Sequence, residues 1–225
     1  MILMIETSSA IGSVALFGED RVMVSKKTTV ENAHAEQIPE MVNSCMQLVG
    51  FKFSDLKAVA VNKGPGSYTG LRIGTSLAKG ICYATGVPLI AADSLKVMAQ
   101  KAKAAGMQAD IYISMFDARR DEVFTATYNQ DLQQTVPLHA EILGESSFNQ
   151  FAELLVVVCG NCAEKTKRIA GKPDYVDFFD GLPSAEDYLA ETMSLFQERK
   201  FENTAYFEPQ YGKEFMAGTS TKFAL

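Results

Sequence analysis

The chain contains few of the residues from which metal sites and disulfide frameworks are built. Its 225 residues include two histidines and four cysteines. So few cysteines are typical of a reducing compartment, and we expect a cytoplasmic protein. No run of 18 apolar residues is present, so no membrane-spanning helix is expected. The N-terminus begins with a strand-like apolar run rather than a basic segment and a long apolar core, so no signal peptide is expected.

Positive charge is also scarce. The net charge is −6, and the isoelectric point is about 5.1. Proteins that bind nucleic acid unaided usually carry a basic surface, so any RNA contact here would need a local basic patch or a basic partner. The hydrophobic content of 47% and the charged content of 21% are ordinary for a globular protein. The length allows one large domain or two small ones.

A glycine-rich turn at residues 64–74 joins a predicted strand, Leu56 to Val61, to a predicted helix. Gly64 and Gly66 permit a positive φ or a close backbone approach, and Ser67 or Thr69 is a suitable helix cap. A helix start of this kind can hold an anion. The lysine of a P-loop and the glycine spacing of a dinucleotide fingerprint are both missing. From the residues alone, a tight strand-to-helix connection is favoured.

Taken as a whole string, this turn resembles the signature of the TsaB (YeaZ) family. The matching positions are Gly64, Pro65, Gly66, Ser67, Tyr68, Thr69, Gly70, Leu71, Arg72 and Gly74. Residues 2–9 and 117–123 are similar to two further family motifs, and the three occur in the family's order. The resemblance covers about the first half of the chain. It implies an α/β, actin-like (ASKHA) fold of two ribonuclease-H-like lobes, with mixed sheets flanked by helices.

The resemblance also implies a function and partners. Family members are non-catalytic subunits that bind and activate TsaD, which transfers a threonylcarbamoyl group to tRNA adenosine to form N6-threonylcarbamoyladenosine (t6A). We therefore expect a TsaD-like catalytic partner, a TsaE-like ATPase bound through the complex, tRNA contact only through the complex, and a homodimer when the chain is alone. Two alternatives stay open: an actin-like ATPase or kinase with its own nucleotide site, and a self-associating scaffold unrelated to tRNA.

The hydrophobic pattern predicts two lobes and a C-terminal segment, at residues 1–105, 106–205 and 206–225. Each lobe opens with three predicted strands, and this internal repeat supports a two-lobed fold independently of the motifs. Helices are predicted at Ala33 to Val49 and, directly after the glycine turn, at Gly70 to Thr85. Further helices are predicted at Ser94 to Lys103, Ala163 to Ala170 and Ser184 to Phe196. Asn32 and Asp93 are the expected caps of two of these helices, and Gly218 to Leu225 is an expected tail.

The helix from Ala33 to Val49 and the one after the glycine turn are expected to form the partner interface. The first has an apolar arc wider than one buried face needs, and the second carries small residues on one side. The predicted interface residues are Ile38, Met41, Val42, Cys45, Met46, Val49, Leu71, Gly74, Thr75, Ala78 and Cys82. Ala78→Arg would then leave the chain folded but block both self-pairing and TsaD binding.

No catalytic residue is predicted. Glu6, Thr7, Ser8 and Asp117 occupy positions where actin-like ATPases hold metal-bound phosphate, and we interpret them as vestigial. No Gly-Gly pair exists for an adenosine loop, so no cofactor is expected, although ATP binding at the lobe junction stays an alternative. Steady ATP turnover that is lost on Glu6→Ala or Asp117→Ala would contradict this prediction.

Histidine and cysteine positions do not predict a metal site. TsaD relatives carry two histidines four residues apart, whereas here Ile38 follows His34, and the only other histidine is His139. Cys159 and Cys162 form a C-x-x-C pair where a strand ends and a helix begins, which could lower a thiol pKa. Two structural thiols at a turn is the favoured interpretation.

Overall fold

A computed structural model describes residues 1–28, 30–31 and 33–212 of the chain. Two predictions therefore lie outside the described residues: Asn32 as a helix cap and the tail from Gly218 onward.

The first sheet has five strands in the order β3-β2-β1-β4-β5. Strands β1, β2 and β3 form an antiparallel meander, and β4 and β5 join β1 in parallel. All the residues of β1, β2, β4 and β5 are buried, as their apolar sequences predict. The strands are β1 (Ile2–Glu6), β2 (Ser13–Phe17), β3 (Val22–Lys27), β4 (Ala58–Asn62) and β5 (Leu89–Ala92).

The second sheet repeats this topology, in the order β10-β9-β6-β7-β8. Its strands are β6 (Ile111–Asp117), β7 (Glu122–Asn129), β8 (Gln134–Ile142), β9 (Val156–Gly160) and β10 (Val176–Asp180). Again three antiparallel strands are followed by two parallel ones. The predicted repeat is confirmed, and two such ribonuclease-H-like sheets make an α/β, actin-like fold. Strand β10 was not predicted, because it is a half-exposed edge strand without a continuous apolar run.

The described residues form five α-helices, of which the first four connect strands and the last follows β10. They are α1 (His34–Leu48), α2 (Tyr68–Thr85), α3 (Ser94–Ala104), α4 (Ala163–Ala170) and α5 (Leu189–Gln197). Asp93 caps α3 as predicted, because its Oδ1 accepts hydrogen bonds from the backbone N–H groups of Leu95 and Lys96. Helix α1 runs through Pro39 without interruption. The helix predicted from Ser184 begins with a 3₁₀ turn, Ala185–Tyr188, before α5.

The helices divide the core into layers around the two sheets. Helices α1 and α2 cover one face of the first sheet. The 3₁₀ turn and α5 cover the other face, although they follow the second sheet in sequence. Helix α3 lies between the sheets: Val97 packs with the first, and Leu95 and Met98 pack with the second. The ends of β1 and β6, from which the candidate loops emerge, are therefore fixed by packing on both sides.

Candidate functional site

The loop after β1 lies directly beneath the glycine turn. Thr7 and Ser8 are both buried. The backbone N–H of Ser67 donates to the Ser8 carbonyl at 2.7 Å, and the backbone N–H of Thr7 donates to Asn62 Oδ1 at 3.0 Å. Ser67 also caps α2, because its hydroxyl accepts a hydrogen bond from the Gly70 N–H at 3.2 Å. The predicted tight strand-to-helix connection is thus confirmed, and α2 begins against the β1 loop.

Two glycines of the turn are required by this close approach. A Cβ at Gly66 would lie 2.5 Å from the Ser8 carbonyl oxygen, and a Cβ at Gly70 would lie 2.1 Å from the Thr7 carbonyl oxygen. Both distances are well inside van der Waals contact with backbone atoms that cannot rotate away. The glycine pattern therefore serves packing between α2 and the β1 loop, and this packing leaves Thr7 and Ser8 without exposure to a phosphate.

Glu6, the last residue of β1, is fully buried. Its Oε1 accepts hydrogen bonds from the backbone N–H of Ser8 at 2.6 Å and from the Ser8 hydroxyl. Burial raises the pKa of Glu6 to about 7, against the opposing effect of these hydrogen bonds. The Tyr188 hydroxyl also interacts with the Glu6 carboxyl and lowers its pKa. Burial has the larger effect, and Glu6 therefore holds its proton more tightly than a free glutamic acid does.

Asp117, the matching residue at the end of β6, is exposed and ionised. Its Oδ1 accepts hydrogen bonds from Lys165 Nζ and from the backbone N–H of Arg119, each at 2.7 Å. Partial burial would raise the pKa of Asp117, but these hydrogen bonds and the neighbouring positive charges hold it below its usual value. The structure thus places three of the four residues predicted to be vestigial phosphate-loop positions in the core and one at the surface.

His34 holds the β1 loop in place. It is buried, and its Nε2 lies 2.7 Å from the Ser9 carbonyl oxygen. Ile38, one turn later, is also buried, and it packs in the core of the first sheet. His139 lies on the outer strand β8, 3.7 Å from Glu141. Among the described residues, no group of three or more His, Cys, Asp or Glu side chains is placed to hold a metal ion.

Cys159 and Cys162 are buried free thiols. Cys159 Sγ lies 3.1 Å from Ser114 Oγ, and Cys162 Sγ lies 3.6 Å from Asn161 Oδ1. Burial raises the pKa of each thiol to about 12. Burial favours the interpretation as structural thiols, because a thiol with a raised pKa is a poor nucleophile and metal ligand at neutral pH.

The residues predicted for the partner interface lie in the core of this chain. Val49 is partly buried, and the others are buried: Ile38, Met41, Val42, Cys45, Met46, Leu71, Gly74, Thr75, Ala78 and Cys82. As a set of directly exposed contact residues this prediction is wrong. Helix α1 packs against β2, β3 and α2 at once, so its wide apolar arc covers surfaces within the chain. The prediction that α1 and α2 bind a partner stays untested.

The exposed faces of the same helices carry other large side chains. Leu48 at the end of α1 is 66% exposed, and Tyr83 near the end of α2 is 91% exposed. At the start of α2, the Arg72 guanidinium lies 4.3 Å from the centre of the Tyr68 ring. The sequence analysis named Tyr68 and Arg72 only as motif positions and did not place Leu48 or Tyr83 at the interface. Its interface residues came from apolar stripes, which identify the buried face of a helix.

The C-terminal segment 201–211 also borders α2 and was missed by the sequence analysis. Lys79 Nζ donates to the carbonyl oxygens of Ala205 and Phe207 at 3.0 and 3.1 Å. Tyr211 packs against Tyr68, with 4.7 Å between ring centres. A cavity of 640 Å³ lies between the end of α2 and residues 204–205. The only signal in the sequence was the presence of tyrosines in this segment.

The repeated sheet topology, with one loop after each central strand, defines a member of the actin-like superfamily. Residues 26–178 match the family described as "TsaD: tRNA N6-adenosine threonylcarbamoyltransferase". The tRNA threonylcarbamoyladenosine biosynthesis protein TsaB of Escherichia coli is 30% identical over 220 residues, which is 93% of each chain. TsaB of Bacillus subtilis is 39% identical over 140 residues, which is 60% of this chain and 59% of that protein.

Solved structures agree with the sequence comparisons. YeaZ from Pseudomonas aeruginosa superimposes with a TM-score of 0.80 and 25% identity, over 93% of this chain and 98% of that one. The chain belongs to the TsaB (YeaZ) family. No helix within the described residues is long and apolar enough to cross a membrane.

Proposed function

We propose that this chain is a non-catalytic subunit of t6A biosynthesis that binds and activates a TsaD-like enzyme in the cytoplasm. The observation that carries the proposal is the closed β1 loop. Thr7 and Ser8 are buried under the glycine turn, and Glu6 is buried with a pKa of about 7. This arrangement gives the first lobe a rigid packing surface where an actin-like ATPase needs an open phosphate loop. The catalytic residues would then be supplied by the TsaD-like partner.

The exposed faces of α1 and α2 are the proposed surface for the TsaD-like partner. Tyr83 and Leu48 are large, exposed side chains near the ends of these helices. Tyrosine and arginine are enriched at interface hot spots, and Tyr68 with Arg72 supplies both at the start of α2. Without the partner, the same surface would pair two copies around a two-fold axis. A TsaE-like ATPase and tRNA would join through the complex.

Replacing the exposed residues tests this surface without disturbing the core. Leu48→Asp with Tyr83→Asp should weaken co-purification with the TsaD-like subunit and should shift any dimer toward monomer, with the circular dichroism spectrum unchanged. Ile142→Asp is the matched control, because Ile142 is 71% exposed on strand β8 of the second sheet. Ala78→Arg is not a suitable test of this surface, because Ala78 is fully buried and an arginine there would disturb the core. Normal TsaD binding by the double variant would reject this surface.

A separate assay tests whether the chain has catalytic activity of its own. The purified chain should not turn over ATP, whereas mixing it with the TsaD-like enzyme should raise the rate of t6A formation. ATP turnover by the chain alone that disappears in both Glu6→Ala and Asp117→Ala would favour the alternative, an actin-like ATPase or kinase. Failure of the chain to raise the t6A rate would contradict the proposed function itself.

A further inference from the structure

Two adjacent arginines occupy backbone conformations that do not suit them. Arg119 and Arg120, in the hairpin between β6 and β7, have φ values of +70° and +49°. Glycine and asparagine are the usual residues in this left-handed region, because a larger side chain is strained there. The hairpin is closed by a hydrogen bond from the Ala118 N–H to the Glu122 carbonyl at 3.1 Å. Local backbone preference therefore does not explain the arginines, which makes their side chains candidates for a function.

Both arginine side chains are exposed. Neither guanidinium makes a hydrogen bond or an ion pair with any other residue in the described part of the chain. Helix α4 holds the turn that carries them, because Lys165 Nζ donates hydrogen bonds to Asp117 Oδ1 at 2.7 Å and to the Glu122 carbonyl at 2.9 Å. Two exposed guanidinium groups thus project from this turn, and the charge of Arg119 also helps to lower the pKa of Asp117.

Helix α4 extends the positive charge beside this turn. The Arg168 side chain is 71% exposed, and its guanidinium lies 3.8 Å from the Asp121 carboxylate. This ion pair is weak, because it is long and open to solvent. Lys167 and Lys172 lie on and just after the same helix, where they pair with Glu164 at 2.9 Å and with Asp177 at 3.7 Å. Residues 117–122 and 163–172 together carry six cationic and four acidic side chains, in a chain whose net charge is −6. The local excess of positive charge is therefore opposite in sign to that of the whole protein.

We propose that Arg119 and Arg120, supported by Arg168, bind the phosphodiester backbone of RNA. Guanidinium groups recognise phosphate oxygens through paired, charge-assisted hydrogen bonds, and arginine is preferred to lysine for this geometry. Contacts to phosphates carry no base information, so the patch would position RNA rather than read its sequence. The identity of the RNA as tRNA rests on the proposed function; the phosphate contacts themselves do not.

The test removes the charges while improving the turn. The double variant Arg119→Asn, Arg120→Gly places favoured residues at both left-handed positions, so it should fold. The matched control is Arg199→Asn, because Arg199 has a φ of +55° outside the patch. Fluorescence anisotropy with a full-length tRNA transcript measures binding by the chain alone and by its complex with the TsaD-like subunit, over a salt series.

We expect the double variant to bind tRNA about tenfold more weakly at low salt, in both preparations. The slope of log affinity against log salt should fall by about 2, because two phosphate contacts are lost. The control should change neither quantity. Inorganic phosphate and pyrophosphate, added as competitors, should displace tRNA only weakly if the site takes the backbone; strong displacement would instead identify a site for a free phosphate compound and would overturn the proposal.

Other results would also overturn it. One is unchanged affinity and salt slope in the double variant, and another is undetectable tRNA binding by both wild-type preparations. A double variant that binds tRNA normally but no longer retains the TsaE-like ATPase would assign the patch to a protein partner. Co-purification with the TsaD-like subunit is scored separately, so loss of the proposed function and loss of the RNA site give different results.

Discussion

The two loops that follow β1 and β6 occupy matching places in two copies of one topology, yet they differ in almost every physical property. The β1 loop is buried, its carboxyl group has a pKa of about 7, and a glycine turn covers it. The β6 loop is exposed, the pKa of its aspartate is lowered, and two exposed arginines project from it. A repeated sheet therefore does not imply a repeated site, because the elements packed over each loop decide its chemistry.

The largest expected effect comes from reopening the β1 loop. In Gly70→Ala, the new Cβ would lie 2.1 Å from the Thr7 carbonyl oxygen, so α2 and the loop must separate. We expect a loss of about 3 kcal/mol or more in the free energy of unfolding, measured by urea denaturation. Gly80→Ala is the control, because a Cβ there meets nothing within 4 Å and should stabilise α2 by about 0.5–1 kcal/mol. Equal stability of Gly70→Ala and wild type would refute the packing argument.

The buried Glu6 should make stability depend on pH with a sign unusual for a carboxylate. Its pKa is about 7 in the folded chain against 4.5 for the free group, so the folded state binds the proton more tightly. The resulting stabilisation is complete below pH 4.5 and is lost as pH rises through 7, by about 3 kcal/mol. The stability of Glu6→Gln relative to wild type should therefore rise between pH 5 and 8. A difference that stays constant over this range would rule out the buried titration.

The fold could be predicted from the sequence because both repeats consist of apolar strands joined by short turns. In addition, the motif from Gly64 to Gly74 is specific enough to identify the family. The sequence analysis failed for the interface residues. Apolar periodicity in α1 marks the side chains that must be buried, and it cannot tell the chain's own sheet from a partner. The sequence also did not indicate that Arg119 and Arg120 lie in a left-handed turn, because the geometry of this turn depends on the register of β6 and β7.

Substitutions that relieve the strained arginine turn should stabilise the chain, by less than Gly70→Ala destabilises it. Arg119→Asn with Arg120→Gly relieves two left-handed side-chain conformations, so we expect a gain of about 1 kcal/mol in the free energy of unfolding. Thermal denaturation would show it as a higher melting temperature. Exchanging the order, with Arg119→Gly and Arg120→Asn, should give a similar gain. A loss of stability in both variants would mean that the arginines stabilise the hairpin through contacts of their own.

The smallest effect should come from Asp117, with a pH dependence opposite to that of Glu6. Its pKa is lowered in the folded chain, so the ionised form is stabilised by Lys165 and by the Arg119 N–H. This stabilisation is present above pH 3.8 and is lost as pH falls below that value. Because the Asp117 side chain is 49% exposed, solvent screens the pair, and Asp117→Asn should cost less than the Glu6 effect. Urea denaturation at pH 3 and pH 7 checks the sign. Asp117→Asn should be less stable than wild type at pH 7 and nearly equal to it at pH 3, and the reverse order would show that the two loops titrate alike.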